Sequence, residues 1–181
     1  RRRKADPRRD ARPGAEATVS RTLNVSVDAM GGDAGPGIVV AALVRSAIRH
    51  PNVNFLVHGD EAVLKPLFAK RGKLSGRVEI RHAPERVRME EKPAMALRRG
   101  RNTSMWHAIE SVEKGEAQVA ISAGNTGALM AMSMFQLRTI EGIDRPAIAA
   151  LWPTKRGQSV VLDGGANLES DAQQLVDFAV M

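Results

Sequence analysis

The chain has 181 residues, of which 43% are hydrophobic and none is cysteine. This length and composition support one substantial hydrophobic core, and the lack of cysteine excludes disulfide bonds, thiolate catalysis and cysteine-ligated zinc. The net charge is +7 at pH 7, and the first 21 residues, with eight Lys/Arg and three Asp/Glu, contribute +5 of it.

Segment 1–21 also contains two prolines and few large apolar side chains. Such a composition predicts a flexible basic tail in front of a folded domain at 22–181. No long apolar run follows the arginines, as a secretory signal requires, and no apolar stretch approaches the roughly 20 residues that span a bilayer. We therefore expect a cytoplasmic protein. Nucleic-acid binding by the tail is an alternative function, disfavoured because the chain has only two Trp, four Phe and no Tyr to stack on bases.

From Leu23 onward, short apolar runs alternate with longer amphipathic ones. This alternation predicts an α/β fold with a parallel sheet. Pro36 suits the first turn of a helix, Asp60 suits a helix cap, and Gly72 suits a helix end. The strands and helices predicted in this half are Leu23–Asp28, Pro36–Ile48, Asn54–Val57, Glu61–Lys70 and Val78–Arg81.

Residues 83–102 are polar and broken by proline, which predicts a long excursion with one short helix. Thr103 or Ser104 is expected to cap a helix that ends at Gly115, because apolar residues recur on one face after it. The remaining predicted elements are strands Gln118–Ile121, Ala147–Leu151 and Ser159–Leu162, helix Gly127–Leu137, and a last helix from near Asp171.

Helix Gly127–Leu137 is apolar on nearly every side. We therefore expect it to be buried between layers or against a second subunit. The last helix is still apolar at Met181, with no end signal. We expect missing sequence or a partner to complete the sheet.

Three strand-to-helix turns are rich in glycine and small polar residues: Asp28–Gly37, Ser122–Ala128 and Asp163–Asn167. We expect all three at the carboxyl edge of one sheet, where a helix N-terminus offers N–H groups to an anion and glycine allows close approach. Any one of them alone is as consistent with a plain tight turn. None matches the dinucleotide fingerprint or the P-loop, which disfavours an NAD-dependent dehydrogenase.

Polar side chains near these turns are the candidates for chemistry. Asn125 adds an amide that can donate to an oxyanion, and Thr126 adds a hydroxyl. Arg98, Arg99 and Arg101 precede the Thr103–Ser104 cap. They would hold phosphate or an acidic partner, or form a solvated basic loop.

Other polar residues have a more ordinary interpretation. Asp28, Asp33 and Asp163 could bind a divalent ion, but capping and orienting the backbone is the commoner use of such residues, and we predict no metal. His107 could face the crevice as a general acid or base, although such a histidine is more often packed or exposed.

Five segments in fixed order resemble the phosphate acyltransferase family known as PlsX: VDAMGGDAGP, EKPAMALRRGRNTSM, AISAGNTGALMA, RPAI and VVLDGGAN. The resemblance covers Leu23 to Met181. It implies transfer of a long-chain fatty acyl group from acyl carrier protein to inorganic phosphate, giving acyl phosphate for phospholipid synthesis without a cofactor. It also implies a three-layer α/β/α fold similar to the phosphate acetyltransferase and isopropylmalate dehydrogenase fold.

The resemblance also implies a cytoplasmic homodimer with peripheral membrane attachment or contact with the next acyltransferase. Family members extend well beyond Met181, so the resemblance implies that this chain is an N-terminal part. Gly100-Arg101 and Thr103-Ser104 stand where relatives usually have a lysine pair and Ser-Ser. A short-chain phosphate acyltransferase that uses coenzyme A is the nearest alternative.

Residues and resemblance together predict Asn125 and Ser104 as catalytic. Arg98 and Arg99 are predicted to dock the acidic carrier protein. The residues predicted to bind phosphate or shape the crevice are Asp28, Gly31, Gly32, Asp33, Arg101, Thr103, Gly124, Thr126, Gly127, Asp163 and Asn167.

Overall fold

The computed structural model describes residues 22–70, 74, 76–164 and 169–181. The predicted flexible tail, the helix end at Gly72 and the site residue Asn167 lie outside the described residues. No helix within the described ranges is both long and apolar enough to cross a membrane.

Among the described residues, four parallel strands form the central sheet in the order β3-β2-β1-β4. They are β1 (Leu23–Asp28), β2 (Val53–Gly59), β3 (Val78–His82) and β4 (Val119–Ser122). All four were predicted to within two residues. The inner strands β1 and β2 carry nearly continuous buried apolar runs, as expected of parallel strands covered on both faces.

Within the described part of the chain, six α-helices accompany the strands: α1 (Pro36–Arg49), α2 (Glu61–Ala69), α3 (Pro93–Arg99), α4 (Ser104–Glu113), α5 (Thr126–Leu137) and α6 (Ala172–Val180). The predicted caps are confirmed at two starts. Asp60 Oδ1 accepts from Ala62 N–H at 2.9 Å, and Thr103 Oγ1 accepts from Trp106 N–H at 3.3 Å. These caps satisfy N–H groups that a helix leaves unpaired, which fixes where α2 and α4 begin.

The sheet lies between two helical layers, so the predicted three-layer α/β/α fold is confirmed. One core cluster joins the sheet to α1 and α2 and includes Val40, Val57 and Leu64. A second joins α3, α4 and α5 through Met105 and Met132. The excursion at 83–102 contains the expected short helix, α3, followed by a 3-10 turn at Gly100–Asn102.

The prediction that the last two strands belong to the parallel sheet was wrong. β5 (Ala149–Thr154) and β6 (Gly157–Leu162) pair antiparallel with each other in a separate hairpin. The reason is the short turn through Lys155 and Arg156, since a parallel pair needs a crossover of a dozen or more residues. The third glycine-rich turn therefore does not leave the edge of the parallel sheet.

Of the two kinds of burial expected for α5, burial between layers is only partial among the described residues. Ala128 and Met132 are buried, but Phe135 is 57% and Leu137 45% exposed. Trp152 on the hairpin and Val180 on α6 are exposed as well. Burial of these apolar surfaces against a second subunit remains a prediction.

Candidate functional site

Two of the glycine-rich turns meet where β1 and β4 lie side by side. The chain continues from β1 to β2 on one side, whereas β4 lies on the other, which is the switch point where open α/β sheets bind ligands. A Cβ atom on Gly31 would lie 3.0 Å from Gly124 N, and one on Gly32, at φ +91°, would lie 3.0 Å from Ala123 O. Only glycine permits this approach, so these glycines set the shape of the crevice.

Asp28, at the end of β1, holds the two turns together. Its side chain is 2% exposed and accepts four hydrogen bonds. Oδ1 accepts from Met30 N–H at 3.2 Å, Gly31 N–H at 3.1 Å and Ser104 Oγ at 2.6 Å. Oδ2 accepts from Ser122 Oγ at 2.7 Å. One carboxylate thus ties the β1 turn to the start of α4 and to the end of β4.

Ser104 and Ser122 contribute through this carboxylate. Ser104, predicted to be catalytic, is fully buried, and its hydroxyl donates to Asp28 rather than into the crevice. Ser122 also accepts from Gly124 N–H at 3.0 Å, which positions the second turn. The sequence pattern did not single out Ser122, because only the pairing of β4 with β1 brings its hydroxyl to Asp28.

Asn125 is directed away from the role predicted for it. Its Oδ1 caps α5 by accepting from Ala128 N–H at 3.0 Å, while Nδ2 lies within 3.2 Å of the carbonyl oxygens of Arg88, Met89 and Glu91. The amide donors therefore hold the segment 85–92, called here the strap. In this structure the side chain fixes the strap and the helix start and does not point its donors at a substrate.

The strap is anchored at its other end as well. Glu85 O accepts from Ser104 N–H at 3.0 Å, beside a β-bridge between Glu85 and Thr103. A cavity of about 550 Å³ lies between the strap, α3 and Thr103, and a second of about 230 Å³ lies between the strap and the β1 turn. Both cavities have a mixed lining: four basic residues, including Arg99, and three glutamates line the first, and both acidic and basic residues, including Asp33, line the second. The sequence predicted this excursion, but its pattern singled out no residue of the strap as a site residue.

The remaining basic and hydroxyl candidates cluster at the start of α4. Thr103 is 4% exposed, and its hydroxyl donates to Gly100 O at 2.5 Å, so the side chain is engaged as a cap. The Arg101 guanidinium lies 6.0 Å from the centre of the Trp106 ring, within cation–π range. Arg98 and Arg99 are exposed on α3 and make no ion pair with any described residue.

The start of α5 offers backbone donors. Among the described residues, no acceptor lies within hydrogen-bond range of the N–H groups of Asn125, Thr126 and Gly127. Thr126 and Gly127 are exposed. Gly127 also allows α3 to pack here, since a Cβ atom would lie 2.8 Å from Pro93 Cγ. These N–H groups carry the positive end of the helix dipole, which favours an anion.

The aspartates do not form a common site. Asp33 is exposed, and Asp163 follows β6 with φ +60°, outside the parallel sheet. Within the described ranges, no three His, Asp or Glu side chains are grouped to hold a metal ion. The expectation that the protein needs no metal remains a prediction.

His107 lies in a second polar cluster rather than at the glycine turns. Its ring stacks on that of His58 with 6.3 Å between centroids, and its Nδ1 is 3.0 Å from Glu110 Oε2. His58 is 3% exposed, with Nε2 3.1 Å from Ser111 Oγ. Burial, aided by the charge of Arg81, lowers the pKa of His58 to about 4. These histidines are packed, as the more ordinary interpretation holds.

Comparison with known proteins places this geometry in a family. Residues 23–181 match the family described as "Fatty acid synthesis protein". The chain is 54% identical over 168 residues to a "Phosphate acyltransferase" of Cereibacter sphaeroides (strain ATCC 17025), covering 92% of this chain and 46% of that protein. It is 55% identical over 160 residues to the one of Mesorhizobium japonicum, covering 88% and 45%. The chain therefore spans about half the length of the curated relatives it matches.

A solved structure agrees on the fold. A phosphotransacetylase from Streptococcus pyogenes superposes with a TM-score of 0.63 at 18% identity, over 88% of this chain and 52% of that one. At this identity the likeness concerns the fold alone. The family match, the relatives and the order of the motifs agree, and the chain belongs to the fatty acid synthesis protein family, whose curated relatives are phosphate acyltransferases.

Proposed function

We propose that the complete protein transfers a long-chain fatty acyl group from acyl carrier protein to inorganic phosphate. The family and the names of its relatives support the acyltransferase class. The observation that carries the proposal is the start of α5 at the switch point, where the N–H groups of Asn125, Thr126 and Gly127 have no acceptor among the described residues.

The chemistry needs little more than positioning and charge stabilisation. A phosphate oxygen attacks the thioester carbonyl carbon, and the carbonyl oxygen becomes a tetrahedral oxyanion. The carbon–sulfur bond then breaks, leaving acyl phosphate, and the proton carried by hydrogen phosphate ends on the departing thiol. Backbone N–H groups at a helix start suit both the phosphate and the oxyanion, because they are held in place before the reaction begins.

The side chains divide into two kinds of role in this proposal. Arg101, in the 3-10 turn before α4, supplies positive charge for phosphate. Ser104 and Asn125 act as positioning residues, because their polar atoms are engaged by Asp28 and by the strap carbonyls. Thr103 supports the same region as the cap of α4.

Arg98 and Arg99 are proposed to dock the acidic carrier protein, because both are exposed on α3 and Arg99 also lines the 550 Å³ cavity. If activity with carrier-bound substrate were insensitive to salt and to Arg98→Ala with Arg99→Ala, this docking would be wrong. Dimer formation, a cytoplasmic location and peripheral membrane contact are proposed on the resemblance alone.

The deciding experiment measures thioester consumption by the complete protein with and without phosphate. Acyl carrier protein and coenzyme A thioesters of the same acyl group compete in one reaction. We expect phosphate-dependent loss of the carrier-bound thioester and formation of acyl phosphate. Preference for a short acyl group on coenzyme A would support the nearest alternative, and no phosphate-dependent cleavage of either thioester would refute the acyltransferase proposal.

A further inference from the structure

An apolar groove begins at the N-terminus of α5 and follows the helix. Its volume is about 280 Å³, and Thr126 and Gly127 line its first part. Met130, Ala131 and Met134 continue it along α5. The groove therefore starts at the same N–H groups that the proposed function assigns to the reacting phosphate and carbonyl.

The groove follows from a second apolar stripe on α5. Gly127, Met130, Ala131 and Met134 recur at i, i+3, i+4 and i+7, which places them on one helix face. The opposing stripe, with Ala128 and Met132, is buried in the core. Helix α5 is apolar on nearly every side, but only the stripe with Ala128 and Met132 packs into the hydrophobic core.

We propose that this stripe binds the hydrocarbon tail of the acyl substrate, an inference that rests on the proposed function. The ligand it suits has a polar, anion-forming head at the α5 N-terminus and an apolar tail directly attached to it. Pro93 and Ile148 form the side walls, so the tail meets few polar groups. The flexible side chains of Met130 and Met134 adapt to a tail of variable shape.

The length and the volume of the groove limit the part of the tail that it can bind. Helix residues 126 to 134 rise over about 12 Å, at roughly 1.5 Å per residue. The 280 Å³ volume holds about nine carbon units if each takes a water's share of roughly 30 Å³. The groove therefore accommodates a medium-length segment, and the end of a longer chain extends past Met134.

The test is chain-length selectivity of the complete protein, measured as kcat/KM for thioesters from butanoyl to hexadecanoyl. In the unchanged protein, each added methylene up to about nine carbons should raise kcat/KM by roughly two- to fourfold. Ala131→Phe fills the groove and should reduce the hexadecanoyl to butanoyl ratio by at least about tenfold. Ser133→Phe adds similar bulk to α5 at a position that does not line the groove, and should leave the ratio unchanged.

The outcomes separate this inference from the proposed function. If no thioester of any length is cleaved with phosphate, the proposed function fails. If cleavage occurs but Ala131→Phe lowers activity equally for all lengths, or changes the oligomeric state, the groove is a packing surface and the inference is wrong. Should Ala131→Phe not fold, Met134→Ala removes bulk instead and should lower the same ratio by roughly two- to fourfold. An unchanged ratio there would overturn the inference.

Discussion

Replacing Asp28 with asparagine tests whether this carboxylate holds the crevice together. The substitution keeps the size of the side chain but removes its charge and one acceptor oxygen. Three donors converge on Oδ1, from Met30, Gly31 and Ser104, and the Ser122 hydroxyl donates to Oδ2. Asparagine would keep one oxygen as an acceptor and place an NH₂ group against the remaining donor.

The expected loss follows from these contacts. A hydrogen bond to a charged group contributes about 1.5–3 kcal/mol and a neutral one about 0.5–1.5 kcal/mol. Weakening three bonds by roughly 1 kcal/mol each gives a loss of about 3 kcal/mol, and the unfavourable contact with Ser122 adds to it. Because Asp28 is 2% exposed, solvent does not weaken this interaction appreciably. For a protein of this size the midpoint of thermal unfolding should fall by about 6–12 °C.

The measurement is urea unfolding of Asp28→Asn followed by circular dichroism, with Asp33→Asn as the matched control. Asp33 lies in the same turn and is exposed, so the same charge change should alter the free energy of unfolding by less than about 0.5 kcal/mol. A double-mutant cycle with Ser104→Ala should give a coupling energy of at least about 0.5 kcal/mol. If Asp28→Asn lost no more stability than Asp33→Asn, the buried network would not be what joins the two turns.

Three further changes test other parts of the site. Burial lowers the pKa of His58 to about 4 in the folded protein, whereas a histidine in the unfolded chain takes up a proton near pH 6.5. The free energy of unfolding should therefore decrease as the pH falls from 6.5 to 4, by up to about 1.4 kcal/mol per pH unit. Urea unfolding across this range should show a shallower dependence in His58→Gln, and an equal slope would contradict the assignment. Gly127→Ala should destabilise the protein by about 1–2 kcal/mol, because the added Cβ atom would lie 2.8 Å from Pro93 Cγ. The control Gly37→Ala places its Cβ atom with nothing within 4 Å and should stabilise α1 by roughly 0.5–1 kcal/mol. The opposite order of the two unfolding midpoints would count against the α3–α5 contact. Asn125→Ala should speed hydrogen exchange in the strap and lower kcat/KM at least tenfold, equivalent to about 1.4 kcal/mol; unchanged exchange there would remove Asn125 as the strap's anchor.

Local chemistry was enough to predict the helices and the strands of the parallel sheet. Pro36, Asp60 and Thr103 act within one helical turn, where a cap or a fixed φ angle determines the start of the helix without help from distant residues. Apolar periodicity similarly marked β1 and β2, because strands buried on both faces need continuous apolar runs. The family resemblance depended on the same local segments.

Tertiary structure decided which segments meet and what each polar side chain does there. Ser104 reaches Asp28 across 76 positions of sequence, and the strap carbonyls that Asn125 contacts lie 34 to 37 positions before it. The hairpin formed by β5 and β6 was assigned to the wrong sheet because apolar runs identify a strand but not its partner. The sequence by itself therefore determined the elements, the glycine turns and the family. Only the fold showed that Asn125, expected to donate to an oxyanion, donates to the strap carbonyls instead. A hydrogen bond depends on proximity in space and not on spacing along the chain.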